Sequence, residues 1–516
     1  MAAESSTRTV TLSGDALTIE DLEAVARGGA RVALAAGHAR TLDAGRAAML
    51  ARASSGAPIY GVNTGFGSFA NVRIDGTRLA LMQRNLILSH AAGVGDPLPR
   101  DVVRAMMCAL AASLARNHSG VRAATVESIA AHLNADITPV VPSRGSVGAS
   151  GDLAPLAHAA LALIGEGDVM HAGTRIAAAA AHAKAGVAPL ALEAKEGLAL
   201  INGTHLMCGA GALCVADSAR LADAAIVAAA MAIDACRASD GPLDARIHEV
   251  RRQHGQSVVA ARMRAMLEGS QVGPSHREGD PRVQDPYALR AAPQVMGAAL
   301  DTLQWAHGTV ERELAAVTDN PLVFAEPAGA GAAARADVVS GANFHGMPLA
   351  IALDALKIAL CHIAGIAERR IYWALSGHDR HSNLPPHLAG DGGVESGLMI
   401  VQYSAAACCN ELRTLAYPSS VGNIPTCAGI EDYNSMGATS ALHALQSVSL
   451  ARSVIAAELL VMAQGLERQR PLRSGAAVER AHAAVRRVAA PLSGDRPPSP
   501  DIAAIGCLIA SGTLGN

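Results

Sequence analysis

Apolar residues recur at every third or fourth position over five long stretches of the chain. This spacing places apolar side chains on one face of a helix, and the stretches consist mostly of Ala, Leu, Val and Ile. Repeated helices of about 20 to 30 residues pack together as bundles. The pattern therefore predicts an all-α protein whose long bundle helices cover residues 203–237, 291–317, 348–375, 397–416 and 435–466.

Shorter helical patterns precede these stretches, at residues 79–92, 102–114 and 156–164. Thr18 with Asp21 three positions later resembles a capping box, which satisfies the free backbone N–H groups at the start of a helix. The early part of the chain is therefore also predicted to be mostly helical, with loops between shorter helices.

A loop interrupts the helical pattern at residues 51–72, where Gly, Asn and Ser are frequent. It holds Tyr60 and two phenylalanines, three of only ten Phe and Tyr residues in the chain. Because loops carry many binding and catalytic groups, this loop is a candidate functional segment. We accordingly predict two parts, an N-terminal loop-rich region at residues 1–200 and a long-helix bundle at residues 201–516.

Composition narrows the classes of partner. The chain has 516 residues, and 42 basic against 45 acidic residues leave a net charge of -3, which gives no excess to attract nucleic acid or an anionic membrane. Nine cysteines without a Cys-x-x-Cys pair argue against a disulfide framework or a zinc ribbon. The first 22 residues lack the apolar core of a signal peptide. We therefore expect a cytoplasmic protein that binds neither nucleic acid nor membranes.

The segment GSVGASGDLAPLA, residues 145–157, stands directly before a predicted helix. Its glycines allow unusual backbone angles, and Ser or Asp can cap a first turn. The tripeptide Ala149-Ser150-Gly151 recurs at residues 510–512, so the tripeptide alone does not define a site. The chain also offers Gly148-Ala149-Ser150-Gly151, in which the second glycine comes one position earlier than in the Gly-x-Ser-x-Gly pattern of serine hydrolases. A serine hydrolase is kept as an alternative.

A metal site is not predicted. His378 and His381 could share a helix face as ligands, but Pro385 and Pro386 close by exclude a continuous helix there.

Taken whole, residues 145–157 resemble the signature of the aromatic amino acid ammonia-lyases, the family of histidine, phenylalanine and tyrosine ammonia-lyases. Four distant segments are similar to motifs of the same family and occur in the same order. They are YGVNTGFG with Tyr60, EGLALING with Asn202, QDPYALR with Gln284, Tyr287 and Arg290, and NFHG with Phe344. The resemblance covers nearly the full chain and is nearest to the histidine branch.

The resemblance implies a cofactor made by the chain itself, with no external cofactor. In the family the Gly amide nitrogen attacks the Ala carbonyl and the Ser loses its hydroxyl, which here would convert Ala149, Ser150 and Gly151 into a methylidene-imidazolone electrophile. Small residues permit the backbone to fold onto itself in this way. The family is also homotetrameric, with sites shared between subunits, and the same is expected here.

The resemblance also assigns roles to the distant residues. Tyr60 is a plausible base for the β-proton of the substrate, although its ordinary pKa near ~10 requires tuning. Tyr287 and Asn202 would hold the ring and the substrate amine by hydrogen bonds. Gln284 and Arg290 belong to the segment that binds the substrate carboxylate, for which a guanidinium offers a planar fork. Phe344 belongs to the family's Asn-Phe motif and is expected to contact the substrate.

Two positions favour histidine as the substrate. The pair Ser89-His90 is similar to the pair in histidine-specific members, and Glu411 falls where those members are expected to carry an acidic residue that contacts the substrate ring or acts as base. Residues 428–436 depart from the histidine pattern, with Ile430 in place of a glutamine and Asn434 as in the phenylalanine and tyrosine branch. The expected reaction is elimination of ammonia from L-histidine to give trans-urocanate. A tyrosine or broad aromatic ammonia-lyase and a 2,3-aminomutase stay open as alternatives.

Overall fold

The computed structural model describes residues 8–56, 58–326 and 335–514. Helices account for 59% of the described residues and strands for 8%, which confirms the all-α prediction. In the described residues the helices are α1 (Ile19–Ala26), α2 (His38–Ser54), α3 (Leu79–His90), α4 (Arg100–Ala115), α5 (Ala123–Asn134), α6 (Leu153–Leu163), α7 (Ala178–Ala185), α8 (Glu196–Ile201), α9 (His205–Ala235), α10 (Ala245–Arg251), α11 (His254–Leu267), α12 (Val272–His276), α13 (Tyr287–Arg290), α14 (Ala292–Leu314), α15 (Met347–Ser376), α16 (Met399–Leu415), α17 (Gly437–Glu467), α18 (Ala476–Val488) and α19 (Ser499–Ala510).

Nine short strands accompany the helices in the described residues. None exceeds four residues, and they form small sheets of two or three strands. Strands this short carry too few positions for an alternating pattern to be recognised in the sequence. They are β1 (Thr9–Leu12), β2 (Arg31–Leu34), β3 (Val94–Pro97), β4 (Thr138–Pro139), β5 (Pro142–Arg144), β6 (Asp168–His171), β7 (Thr174–Ala177), β8 (Leu322–Ala325) and β9 (Ala336–Val339).

The five long helices lie where the sequence pattern predicts them. Residues 203–237 form α9 and residues 435–466 form α17, with ends within two residues of the prediction. Alanine has the highest helix propensity, and its small side chain lets neighbouring helices approach closely. The predicted cap is also present, since Thr18 Oγ1 accepts a hydrogen bond from Asp21 N at 3.1 Å at the start of α1.

The chain divides into two compact units, each made from separate segments. Unit 1 comprises Met1–Leu213, His307–Leu353 and Ser419–Leu442. Unit 2 comprises the segments Cys214–Ala306, Asp354–Pro418 and His443–Asn516. The division of the chain at residue 200 stays a prediction.

Within unit 1, three helices pack on one another and bring their ends into one region. α3 contacts both α6 and α8, and α6 contacts α8. In addition, β3 pairs with β5, which joins the chain after His90 to the chain just before Gly145. As a result, three sequence motifs meet: α3 ends at His90, α6 begins after Ser150, and Asn202 follows α8.

Two helices, α15 and α17, are long and apolar enough to cross a membrane by length and composition. Their most apolar windows are 61% and 67% buried inside the protein. Both also bury charged side chains, since Arg370 of α15 pairs with Glu458 of α17 within unit 2. Burial of this kind is typical of core helices, and we interpret both helices as part of the helical core.

Candidate active site

A cavity of about 1100 Å³ lies within unit 1. It brings together side chains from Tyr60 to Tyr433, which are about 370 residues apart in the sequence, as expected of a site built from distant motifs. The predicted site residues that line it are Tyr60, Ser89, His90, Ala149, Ser150, Asn202 and Phe344. Gly151 follows Ser150 in the chain and is buried.

Hydrogen bonds hold the backbone around Ser150 from two sides. Gly203 N donates to Ser150 O at 3.2 Å, and Asp152 N donates to Gly203 O at 2.8 Å. On the other side, Ser435 Oγ donates to Gly148 O at 3.1 Å. The Ser150 segment is therefore fixed between the start of α9 and the start of α17.

Two glycines of this segment cannot be replaced without disruption. Gly151 has φ +75°, and a Cβ there would lie 2.0 Å from the carbonyl oxygen of Gly203. Gly148 has φ +68°, and a Cβ there would lie 2.1 Å from Ser435 Oγ. These positions require glycine both for backbone conformation and for space.

The hydrogen bonds of the described residues leave out two backbone groups of the tripeptide. None of them uses the carbonyl oxygen of Ala149 or the N–H of Gly151. These are the two groups that ring closure would join. The neighbouring backbone groups Ser150 O, Asp152 N and Gly148 O are hydrogen-bonded, so the segment is held in place without bonds to these two groups.

Asp152 has a structural role that the sequence pattern does not reveal. Although it precedes α6, its carboxylate accepts hydrogen bonds from Leu206 N at 2.9 Å and Met207 N at 3.0 Å, in the first turn of α9. Ser146 Oγ donates to it at 2.9 Å. Complete burial raises the pKa of Asp152 to about 6, against the lowering effect of these hydrogen bonds. Asp152 thereby ties the Ser150 segment to the N-terminus of α9.

Glu431 is a cavity residue that the sequence analysis did not select. Ser150 Oγ donates a hydrogen bond to Glu431 Oε1 at 3.1 Å, and Thr426 Oγ1 donates to Glu431 Oε2 at 2.7 Å. A signal was present, because Glu431 lies within residues 428–436, the segment compared with the histidine branch. The hydroxyl partner of Ser150 is therefore a carboxylate, whereas a serine hydrolase pairs its nucleophile with a base such as histidine.

Tyr60 lies in the predicted loop and lines the cavity together with Gly67. Gly67 N donates to Tyr60 Oη at 3.1 Å, and the Tyr60 ring meets Phe66 edge to face at 6.3 Å. Burial raises the pKa of Tyr60 above 10.0, and the nearby Cys427 and Glu431 add to this, while the bond from Gly67 opposes it. Tyr60 is thus a protonated phenol at neutral pH in this environment.

His90 presents a neutral imidazole to the cavity. Burial lowers its pKa below 6.5. Ser89 Oγ donates to Leu86 O at 3.1 Å and lies 3.0 Å from His90 Nδ1. Because a hydroxyl has one hydrogen, which Ser89 donates to Leu86 O, we assign His90 the tautomer in which Nδ1–H donates to Ser89 and Nε2 is an acceptor.

Ile430 and Asn434, which depart from the histidine pattern, lie in different surroundings. Ile430 lines the cavity and is 69% exposed. Asn434 is buried; its backbone N donates to Asn423 Oδ1 at 2.7 Å, and its side chain donates to Ile424 O. Asn434 therefore supports the loop backbone, whereas Ile430 forms part of the cavity wall.

Four predicted site residues belong to unit 2, whereas the cavity is lined by residues of unit 1. Gln284 is exposed, Tyr287 is 73% exposed, and the Arg290 guanidinium lies over the Tyr287 ring at 4.6 Å from its centre. Glu411 is exposed on α16 and accepts a hydrogen bond from Gln446 Nε2 at 2.5 Å. The roles of these four residues stay predictions.

Comparison with known proteins agrees with the motifs. The model of the aromatic amino acid lyase family matches residues 17–487. Histidine ammonia-lyase of Deinococcus radiodurans is 46% identical over 96% of this chain and 93% of its own length. Histidine ammonia-lyase of Anaeromyxobacter sp. strain K is 45% identical over 98% of this chain and 99% of its own.

Solved structures share the fold over nearly the whole chain. Tyrosine aminomutase of Streptomyces globisporus superposes with a TM-score of 0.90 at 36% identity, covering 98% of this chain and 97% of its own. Histidine ammonia-lyase of Trypanosoma cruzi gives 0.89 at 37% identity, covering 98% and 94%. The chain belongs to the aromatic amino acid lyase family and is a carbon–nitrogen lyase.

Proposed function

We propose that the protein eliminates ammonia from L-histidine to give trans-urocanate. The observation that carries this proposal is that Ser150 and the Ser89-His90 pair line one cavity. A neutral imidazole with a free acceptor nitrogen complements the N–H of a substrate imidazole, which a phenyl ring lacks. The names of the two bacterial relatives described above support the same substrate.

We propose further that Ala149, Ser150 and Gly151 form a methylidene-imidazolone. The residues fit this group, since Gly151 allows the required close backbone approach and the Ala149 carbonyl is not engaged by the described hydrogen bonds. When formed, the group supplies an electrophilic carbon at the position of the Ser150 side chain. The Ser150 hydroxyl, which would leave as water, donates a hydrogen bond to Glu431 Oε1, so Glu431 holds the leaving group in place.

Each cavity side chain then has a specific task. His90 Nε2 accepts a hydrogen bond from the substrate imidazole, and Tyr60, in its deprotonated form, removes the β-proton. Asn202 binds the substrate amine. We propose that Glu431, which lies in the cavity, makes the carboxylate contact expected of Glu411, because Glu431 already adjoins Ser150 and raises the pKa of Tyr60.

The substrate carboxylate is proposed to be bound by residues from neighbouring copies in a homotetramer. Tyr287 is a large aromatic side chain that is 73% exposed, and Arg290 stacks on it as a rigid, always charged fork. Exposed aromatic and arginine side chains are typical of residues that become buried at interfaces. Light scattering of the purified protein should give a tetramer if the sites are shared.

A cytoplasmic location is also proposed. All nine cysteines lie among the described residues and none of them forms a disulfide, including the neighbours Cys408 and Cys409. Thiols in this number outside disulfides are typical of a reducing compartment.

The direct test is product formation from histidine, tyrosine and phenylalanine, followed by ultraviolet absorbance and by chromatography for β-amino acids. Urocanate as the main product supports the proposal. A 2,3-aminomutase is the second candidate, because tyrosine aminomutase shares the fold with a TM-score of 0.90. Accumulation of a β-amino acid would identify that activity and contradict the lyase proposal.

Replacement of His90 by leucine should move substrate preference away from histidine. Loss of the acceptor nitrogen leaves the substrate N–H without a partner, so the ratio of kcat/KM for histidine to that for tyrosine should fall by about 100-fold. His171→Leu removes an imidazole that lies on β6 outside the cavity lining and should leave the ratio unchanged. An unchanged ratio in His90→Leu would refute the role of His90.

Ser150 should not react as a hydrolase nucleophile. Its hydroxyl donates to the Glu431 carboxylate, and cofactor formation would consume it. We therefore expect no covalent labelling by a fluorophosphonate and no ester cleavage. Labelling at Ser150, located by peptide mass spectrometry, would favour the hydrolase alternative.

A further inference from the structure

The side-chain amide of Asn202 has a single possible orientation at the cavity wall. Its Nδ2 donates to Asp319 Oδ1 at 2.9 Å and to the backbone oxygen of Asn320 at 3.1 Å. A carboxylate oxygen and a carbonyl oxygen accept hydrogen bonds and cannot donate them, so only the NH₂ end can face them. The Oδ1 end of Asn202 is therefore the end available to a molecule in the cavity.

A buried ion pair holds the Asp319 carboxylate in this position. Lys195 Nζ donates to Asp319 Oδ2 at 2.7 Å, and the two side chains are 0% and 3% exposed. Asn320 N donates to Asp319 Oδ1 at 2.6 Å. Lys195 precedes α8 and Asn202 follows it, so one carboxylate is bonded to both ends of the same short helix.

We propose that Lys195 and Asp319 are positioning residues, which present Asn202 Oδ1 to the α-amino group of the substrate. This inference rests on the proposed function, in which Asn202 binds that amine. Lys195 and Asp319 do not line the cavity themselves and act through Asn202. An ionised carboxylate also polarises the amide that donates to it, which makes Asn202 Oδ1 a stronger acceptor for an amine.

The charge on Asp319 is what makes the orientation unambiguous. An asparagine at this position could either accept from Asn202 or donate to it, so the Asn202 amide could turn its NH₂ group toward the substrate amine. Lys195 forms an ion pair with the carboxylate, so the pair carries no net charge. The single change Asp319→Asn would in addition leave the Lys195 ammonium buried without a counter-ion, which is costly.

The test therefore compares wild type with Asp319→Asn and with Lys195→Met/Asp319→Asn, in which both charges are removed together. We measure kcat and KM for L-histidine and the inhibition constant of 3-(imidazol-4-yl)propionate, which lacks only the amino group of histidine. In both variants kcat/KM should fall roughly 10- to 100-fold, the value of one charge-assisted hydrogen bond, while the inhibition constant changes less than about threefold. Near-ultraviolet absorbance and circular dichroism report cofactor formation and folding.

The matched control is Asp234→Asn in unit 2. Asp234 is a buried carboxylate that accepts hydrogen bonds from Ser270 and Ser474 and does not line the cavity. This change should lower the unfolding temperature without altering kcat/KM for histidine or the inhibition constant of the analogue.

Two outcomes would overturn the inference: equal losses for histidine and for the analogue in the Asp319 variants, or unchanged kinetics. Failure of the proposed function looks different, because wild type itself would then not convert histidine. In that case kcat/KM is measured with the aromatic amino acid that wild type does convert, and the inhibition constant is measured with its 3-arylpropionate.

Discussion

Replacing Ser150 with alanine should leave a folded protein without detectable ammonia-lyase activity and without the near-ultraviolet absorbance of the methylidene-imidazolone. The reason is chemical, since the exocyclic double bond requires a β-hydroxyl that can leave, and alanine has none. The backbone bonds from Gly203 and to Gly148 do not use the Ser150 side chain, so the fold should persist. Absorbance spectra and urocanate formation from L-histidine measure both effects.

The chain provides a matched control in its second copy of the tripeptide. Ser511 stands between Ala510 and Gly512 at the end of α19, and Gly512 has φ +72°, similar to Gly151. Ser511 Oγ bonds to Leu508 O and Thr513 Oγ1 rather than to a cavity carboxylate. Ser511→Ala should therefore retain full absorbance and activity. Absorbance or turnover surviving in Ser150→Ala would disprove the assignment of the electrophile.

Replacing Tyr60 with phenylalanine should lower kcat by about 10³-fold, a typical value for the loss of a general base. The change removes only the hydroxyl, and the ring can keep its edge-to-face contact with Phe66. Near-ultraviolet absorbance should be retained, because Tyr60 is not part of the tripeptide. Steady-state rates and spectra of the same preparation separate loss of the base from loss of the cofactor.

The pH dependence should distinguish Tyr60 from other bases. A base acts in its deprotonated form, and burial raises the pKa of Tyr60 above 10.0, so kcat/KM should still increase with pH on the alkaline side. Tyr60→Phe should lack this rise. Tyr403→Phe, which removes the hydroxyl of an exposed tyrosine on α16, should keep the rise and the rate. A rise that persists in Tyr60→Phe would assign the base to another group, such as Glu431, whose carboxylate is hydrogen-bonded to Ser150.

The sequence pattern predicts the long helices well and the short elements poorly. A helix such as α9 repeats its apolar spacing over 31 residues, so local information is sufficient. The strands β4 and β5 contain two and three residues, and their pairing depends on partners far along the chain. The helix α2 was not predicted either, because its buried face includes Gly45 and Arg46, which do not read as apolar positions.

The site shows the same division between local and distant information. The family resemblance of the motifs selected seven residues that line one cavity, among them Tyr60, His90 and Asn202. It did not select Glu431, which lines the cavity, and the role of Glu411, which belongs to unit 2, stays a prediction. Ile430 and Asn434 both depart from the histidine pattern in sequence, but Ile430 lines the cavity and Asn434 is buried in the loop.

The chain's own residue pattern is thus sufficient for the helical fold, because helix periodicity is a local property, whereas the lyase class and the electrophile proposed at Ser150 come from the resemblance of several motifs to one family. The partners of that centre follow from folding. Glu431 meets Ser150 across 281 positions of sequence, and the Lys195–Asp319 pair orients Asn202 across more than a hundred. Hydrogen bonds and buried charges act over a few ångströms in space, and only packing brings such distant residues within that range.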